Sequence, residues 1–259
     1  MKLFLTLSLL AGAAWAQLPA GNGKGVAMGH LHLLVRDVDA HKKLWVDTLG
    51  AKVVKAGPLE LYRFPGVLVA LRKGEPGGGT DGSVVDHLGF KTKNLDETKA
   101  KLVAAGATVV REMPEIRQAF IMFPDGVKVE FTEDTSLAQP IVHHHIHFAS
   151  HQVDEMRAWY ASTFGAVPGM RGRFKAADVP GVNLSWNPAN AATIASKGRS
   201  VDHIGFEVAN LEEFCNKLVA SGIKLDTPYR KVPQLGIAIA FLTDPWGTYI
   251  ELTEGLDKL

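Results

Sequence analysis

The chain has 259 residues and a formal net charge of +1, from 28 Lys and Arg against 27 Asp and Glu. So even a balance excludes the basic footprint of a nucleic-acid binder, and a hydrophobic fraction of 46% excludes a disordered chain. A single cysteine, Cys215, excludes an intrachain disulfide, and its place in an apolar helical stripe reads as a small core residue.

The chain opens with Met1-Lys2, an apolar run from Leu3 to Leu10, and Ala14-Trp15-Ala16. A positive start, an apolar core and a small-x-small end form a secretory signal, so residues 1–16 read as a signal peptide with Gln17 as the mature start. The expected location is secreted or periplasmic. No later segment approaches the ~18 apolar residues of a membrane span, so no membrane partner is expected after cleavage.

Beyond it the pattern runs strand, helix, then a set of strands, four times. The helices are expected near Asp39, Asn94, Asp154 and Asn210. Asn94-x-x-Glu97 and Asn210-x-x-Glu213 have the form of capping boxes. Each helix ends at a glycine, Gly50, Gly106, Gly165 or Gly222, which suits a left-handed C-terminal turn. Val85-Asp86-His87-Leu88-Gly89-Phe90 returns as Val201-Asp202-His203-Ile204-Gly205-Phe206, and Leu49-Gly50-Ala51 returns as Phe164-Gly165-Ala166. The chain therefore reads as two similar halves, 28–134 and 141–254, with a polar seam from Asp134 to Pro140. The fold class is α+β, built from four βαβββ modules.

Side chains alternate across a strand, so alternation shows which of them face a pocket. In His30-Leu31-His32-Leu33 the leucines pack and the histidines face away, and His87 and Glu130 face away in the same manner. The first half thus offers His30, His87 and Glu130, expected on one curled sheet. The second half offers His145, His203 and Glu251. Two imidazoles and a carboxylate suit a divalent transition metal (Fe, Mn, Zn or Ni) and leave positions open for a small-molecule substrate. The same residue types at matched repeat positions strengthen the reading and predict about one metal per half. His143, His144 and His147 crowd His145 as an alternative set, while His41 and His151 read as surface residues. Arg63, Arg111, Arg117, Arg173 and Arg230 could clamp an anionic substrate.

These residues resemble the vicinal oxygen chelate superfamily of glyoxalase I, bleomycin-resistance proteins and extradiol dioxygenases, over about residues 28–254. His30 with Val35 and Asp37 follows that family's first-strand pattern, and Asp244-Pro245-Trp246-Gly247 with Glu251 follows its closing one. The resemblance implies two tandem glyoxalase-like domains with curled mixed sheets. It also implies a metal-dependent enzyme that chelates a substrate through two neighbouring oxygens, by lyase, isomerase or dioxygenase chemistry. A second reading is a non-catalytic protein that sequesters a small molecule, as bleomycin-resistance relatives do. Ala70 and Ser185 stand where glyoxalase I supplies a further Glu. Phe120 and Phe241 stand where ring-cleaving dioxygenases have Tyr, so catechol cleavage is not expected.

Overall fold

A computed structural model describes residues 18–259; the segment read as a signal peptide lies outside the described residues. The first module runs β1 (Val26–Val35), α1 (Val38–Lys42), β2 (Lys52–Ala56), β3 (Leu59–Phe64) and β4 (Val67–Lys73). The second runs β5 (Val85–Thr92), α2 (Leu95–Ala104), β6 (Thr108–Met113), β7 (Gln118–Phe123) and β8 (Val127–Glu133). The third runs β9 (Ile141–Ser150), α3 (Val153–Phe164), β10 (Val167–Arg171), β11 (Phe174–Val179) and β12 (Val182–Pro188). The fourth runs β13 (Val201–Val208), α4 (Leu211–Ala220), β14 (Thr227–Val232), β15 (Ile237–Thr243) and β16 (Tyr249–Glu254). The four βαβββ modules expected from the repeats are all present, and the class is α+β.

Local signals explain the helix ends. Asp37 Oδ1 accepts from the backbone N–H groups of Asp39 and Ala40, and Asn94 Oδ1 accepts from that of Glu97 at 3.1 Å. These bonds satisfy donors that the first helical turn leaves free. Asn210 departs from its expected role. It takes a left-handed backbone with φ 56°, and its amide bonds the Glu213 side chain instead. The N–H of Leu211 is satisfied by the Glu254 carboxylate at 2.9 Å. The first helix also departs, continuing from α1 as a π turn over Lys43–Thr48.

Two eight-stranded mixed sheets result, and their composition corrects the expected grouping. One has the order β14-β15-β16-β13-β1-β4-β3-β2, joining the first and fourth modules. The other has the order β10-β11-β12-β9-β5-β8-β7-β6, joining the second and third. Neither half of the sequence forms a sheet alone. Strand alternation sets which face a residue occupies, but not which edge its strand pairs with. Here β1 lies antiparallel to β13, and β5 antiparallel to β9. The two chain segments that cross between sheets bond to each other: Gly77 N–H to Gly198 O, and Ser200 N–H to Gly78 O.

The core lies between the helices and the sheet faces turned away from the histidines. Trp45, after α1, meets Phe64 of its own module and Phe90 and Phe123 of the second, at ring separations of 6.0, 5.7 and 4.9 Å. Phe164 of α3 packs on Phe206 of the fourth module at 4.8 Å. Each helix packs on strands of its own sheet, and these aromatic rings reach across to residues of the other. Cys215 is buried, as expected. His41 is not the surface residue that sequence suggests: it is fully buried, with the Asp125 carboxylate at 3.4 Å. Among the described residues, no helix is long and apolar enough to cross a membrane.

Candidate metal centres

The sheet pairing regroups the six candidate ligands. His30 does not meet His87 and Glu130, and His145 does not meet His203 and Glu251. The first cluster is His30, His32, His203 and Glu251; the second is His87, Glu130, His145 and His147. Within each cluster the potential ligand atoms lie within 4.8 Å of one another. The matched residues still share faces as alternation required, but the trios exchange members because the modules exchange partners.

In the first cluster, the Nε2 atoms of His30 and His203 lie 3.0 and 2.9 Å from Glu251 Oε2. His203 Nδ1–H donates to Asp202 Oδ1 at 2.6 Å, which turns Nε2 toward the cluster. Burial opposes charge on His203, but Asp202 and Glu251 overcome it and raise its pKa. Burial likewise opposes charge on Glu251, and the hydrogen bonds of His203 and His30 hold it well below the usual carboxylate range. Two imidazole nitrogens and a carboxylate converging at hydrogen-bond distance in a buried site require a proton or a cation between them. His32 lies beside His203 at a ring separation of 4.3 Å. Burial, with the neighbouring imidazoles, lowers its pKa to about 3, so it stays neutral with a lone pair to offer. Among the described residues, the buried nitrogens His30 Nδ1 and His32 Nε2 have no hydrogen-bond partner.

The second cluster copies this plan. His87 Nε2 lies 3.1 Å from Glu130 Oε2, and His145 Nε2 lies 3.6 Å from the same oxygen. Asp86 bonds His87 Nδ1 at 2.5 Å, as Asp202 bonds His203. Burial is again opposed on Glu130, here by His145 and His87, and its pKa falls far below normal.

Glycines make both clusters possible. His30 sits opposite Gly205 across β1 and β13, and His145 sits opposite Gly89 across β9 and β5. A Cβ on Gly205 would stand 2.1 Å from His30 Cε1, and one on Gly89 would stand 1.9 Å from His145 Cε1. The pairing unit is therefore His-x-His against His-x-Gly, with the missing side chain making room for a crossing imidazole.

The surroundings differ. Above the first cluster lies a cavity of about 550 Å³, bordered by residues from β3 and from β14 and β15, at opposite ends of the sheet order. Such residues can share a cavity only because the sheet curls. At the second cluster the Arg171 guanidinium from β10 reaches inward. Its Nη2 lies 3.0 Å from His147 Nδ1, its Nη1 lies 3.7 Å from Glu130 Oε1, and its Nε–H donates to Ser185 Oγ at 2.9 Å.

His32 lies outside the expected ligand set, although its two-residue spacing from His30 puts it on the same face. Arg171, Arg72 and Lys197 also lie outside the expected site residues. Of the arginines expected as a clamp, Arg230 borders the cavity, whereas Arg117 is committed to Glu133 and Asp96. Arg63 donates to a main-chain oxygen of Leu259. Phe120 and Phe241 each lie edge-on against a cluster histidine, at 5.0 Å from His87 and 5.5 Å from His203.

The fold matches glyoxalase I from Zea mays with a TM-score of 0.70 at 16% identity, covering 90% of this chain and 94% of that one. A mutant of the same plant enzyme gives 0.71 at 15%, covering 90% and 95%. In sequence, the lactoylglutathione lyase of Haemophilus influenzae is 26% identical over 124 residues, covering 41% of this chain and 92% of its own length. Residues 27–131 and 142–252 each match the same family description, so the chain belongs to the Glyoxalase/Bleomycin resistance protein/Dioxygenase superfamily.

Proposed function

We propose that this protein is an exported, metal-dependent enzyme that works at the first cluster on a small substrate with two neighbouring oxygens. The observation that carries the reading is the convergence of His30, His32, His203 and Glu251, four groups of suitable donor chemistry, beneath an open cavity. Fe, Mn, Zn and Ni all suit imidazole with carboxylate. Bound there, such an ion supplies Lewis acidity that stabilises negative charge on a substrate oxygen.

The chain's own groups do the remaining work. Asp202 fixes the tautomer and rotation of His203. Phe241 packs edge-on against His203 and stacks on Tyr249 at 5.1 Å, so the ligand ring is held between fixed aromatic neighbours. Burial pushes Tyr249 up to about 12, so it stays a neutral phenol that can donate a hydrogen bond. Phe241, at the position where ring-cleaving relatives have Tyr, cannot move a proton. That favours lyase or isomerase chemistry over catechol cleavage.

The test is metal content and turnover measured together. Purified protein should hold a divalent ion, and Glu251→Ala should lose it along with activity. Glu130→Ala should leave both in place. A protein that binds small molecules at this cavity equally well without metal, and turns none over, would instead be the sequestering type. Export rests on Lys2, the leucine-rich run and Ala14-Trp15-Ala16. Mass spectrometry of protein from its native host should find Gln17 at the mature N-terminus.

A further inference from the structure

The cavity above the first cluster has walls of one chemical kind and a rim of another. Leu61, Val232, Ile237, Ile239 and Leu256 form an apolar lining, each at most 9% exposed on its own strand or turn. With neighbouring leucines they make a hydrophobic cluster separate from the main core. The rim carries three exposed cations, Arg72, Lys197 and Arg230. Among the described residues, only two acids border the space, Asp202 and Glu251, and both are engaged by histidine.

The rim cations are poorly neutralised. Arg72 comes no closer than 3.7 Å to Asp202, whose oxygens already bond His203 and the Gly198 N–H. Lys197 lies over the Tyr249 ring at 4.2 Å. Among the described residues, neither Lys197 nor Arg230 has a carboxylate within ion-pair distance. At the matched position of the other sheet, Arg72 is replaced by the neutral Asn187: Arg72 pairs with Leu34, four residues after His30, and Asn187 pairs with Ala149, four after His145.

Apolar walls gain from burying hydrocarbon in proportion to its area. A concave rim of one sign concentrates ions of the other. The volume lies within the roughly 300–1,000 Å³ of small-molecule sites. We infer that the ligand of this cavity is an amphipathic organic anion, with a single acidic head and an apolar body of aryl or alkyl character. The inference rests on reading this cavity as the active site. A small polar anion would leave the walls wet, and a neutral hydrocarbon would leave the rim cations unused.

Calorimetric titration with 4-phenylbutyrate, its neutral counterpart 4-phenylbutan-1-ol, and butyrate tests the inference on both Ni(II)-loaded and chelator-treated protein. The phenyl acid should bind at least about 10-fold more tightly than either comparator, and its advantage over the alcohol should shrink as salt rises. The combined Arg72→Gln, Lys197→Gln and Arg230→Gln variant should bind acid and alcohol equally while still binding the alcohol, which a misfolded protein would not do. Equal binding of acid and alcohol by the wild type, or of butyrate and phenylbutyrate, would overturn the inference. Ni(II) retention measured on the same samples separates the two readings. Failure to retain the metal with the acid preference intact would refute the metal enzyme and leave this inference standing. Metal retained without the preference would do the reverse.

Discussion

Stepping outward from the cluster strands shows where the two metal candidates part company. In the first sheet His32 pairs with Ala70, Ala70 with Leu61, and Leu61 with Val54. In the second, His147 pairs with Ser185, Ser185 with Ala176, and Ala176 with Gly169. Two residues further along the outer strand stands Ala56 in one case and Arg171 in the other. The short side chain leaves the first cluster open to its cavity. The long one spans two strands to bring a positive charge to Glu130 and His147. The second cluster thus has a guanidinium against His147 and Glu130. A unit charge about 4 Å away costs a like charge on the order of 4 kcal/mol at an effective dielectric near 20. A divalent ion at the second cluster therefore has the Arg171 charge beside Glu130 to overcome. The duplicated ligands predict one metal per half; the structure argues for unequal sites.

The sharpest way to separate the sites is to close the space each crossing imidazole uses. Gly205→Ala places a methyl group where the His30 ring lies, and Gly89→Ala does the same to His145. In each case the clash is with the end of a side chain, so the ring can leave while the strands stay paired. Both variants should lose similar stability, roughly 1–3 kcal/mol for overpacking. Only Gly205→Ala should lose the bound metal and the activity. Metal content beside a denaturation curve reads both effects, and metal loss in Gly89→Ala would show that the second cluster is the loaded one.

The next effect in size is the reverse experiment. Arg171→Ala removes the internal cation and leaves His87, His145, His147 and Glu130 facing an opened space. Bound metal should rise from about one to about two per chain at saturating concentration. A wild type that already holds two, or a variant that still holds one, would show that Arg171 does not set the difference.

The histidines and glutamates could be read from the sequence because strand alternation and the internal repeat are both local patterns. Their grouping could not, since His30 is equally compatible with a β5 or a β13 neighbour until the edges pair. Gly89 and Gly205 were visible inside the repeated Val-Asp-His-x-Gly-Phe segment, but their purpose depends on which imidazole crosses them. Arg171 was hidden more deeply. Its reach depends on the register of three strand pairings together, and the sequence around it shows only an exposed hairpin arm near Gly172. Helix starts show the same limit, as Asn94 caps its helix and Asn210 does not, although both have the same spacing to a Glu.

A smaller effect concerns the residues that orient the candidate ligands. Asp202 and Asp86 hold the Nδ1 atoms of His203 and His87. Asp86 also pairs with Lys128 at 3.2 Å, and its pKa is held at about 2: burial raises it, but His87 and Lys128 overcome that. Removing such an orienting carboxylate typically costs 10–100-fold in metal affinity. Asp202→Asn should show that loss in a competition titration against a chelator, and Asp86→Asn should not. Equal losses would mean that both clusters carry metal in the wild type.

The mildest difference is carried two repeats of the pleat beyond the candidate ligands. Four residues after His203 stands Glu207, and four after His87 stands Lys91. Lys91 pairs with Asp134 at 3.0 Å in a half-exposed position, an arrangement worth little to stability. Glu207 is buried and accepts from Thr253 Oγ1 at 2.8 Å and from the Gly255 N–H at 2.6 Å. Burial, with Asp257 nearby, raises its pKa from 4.5 to about 7 despite those bonds. A carboxyl raised in the folded state takes up a proton that the unfolded chain has already released. Its contribution is fully present below pH 4.5 and is lost as pH rises through about 7. Within that window the slope is at most about 1.4 kcal/mol per pH unit for a single proton. Glu207→Gln keeps the shape and removes the titration. Urea midpoints for wild type and variant should therefore diverge between pH 5 and 7, the wild type losing more. Lys91→Gln should run parallel to the wild type. Parallel profiles for Glu207→Gln as well would place the proton elsewhere and remove this difference between the sheets.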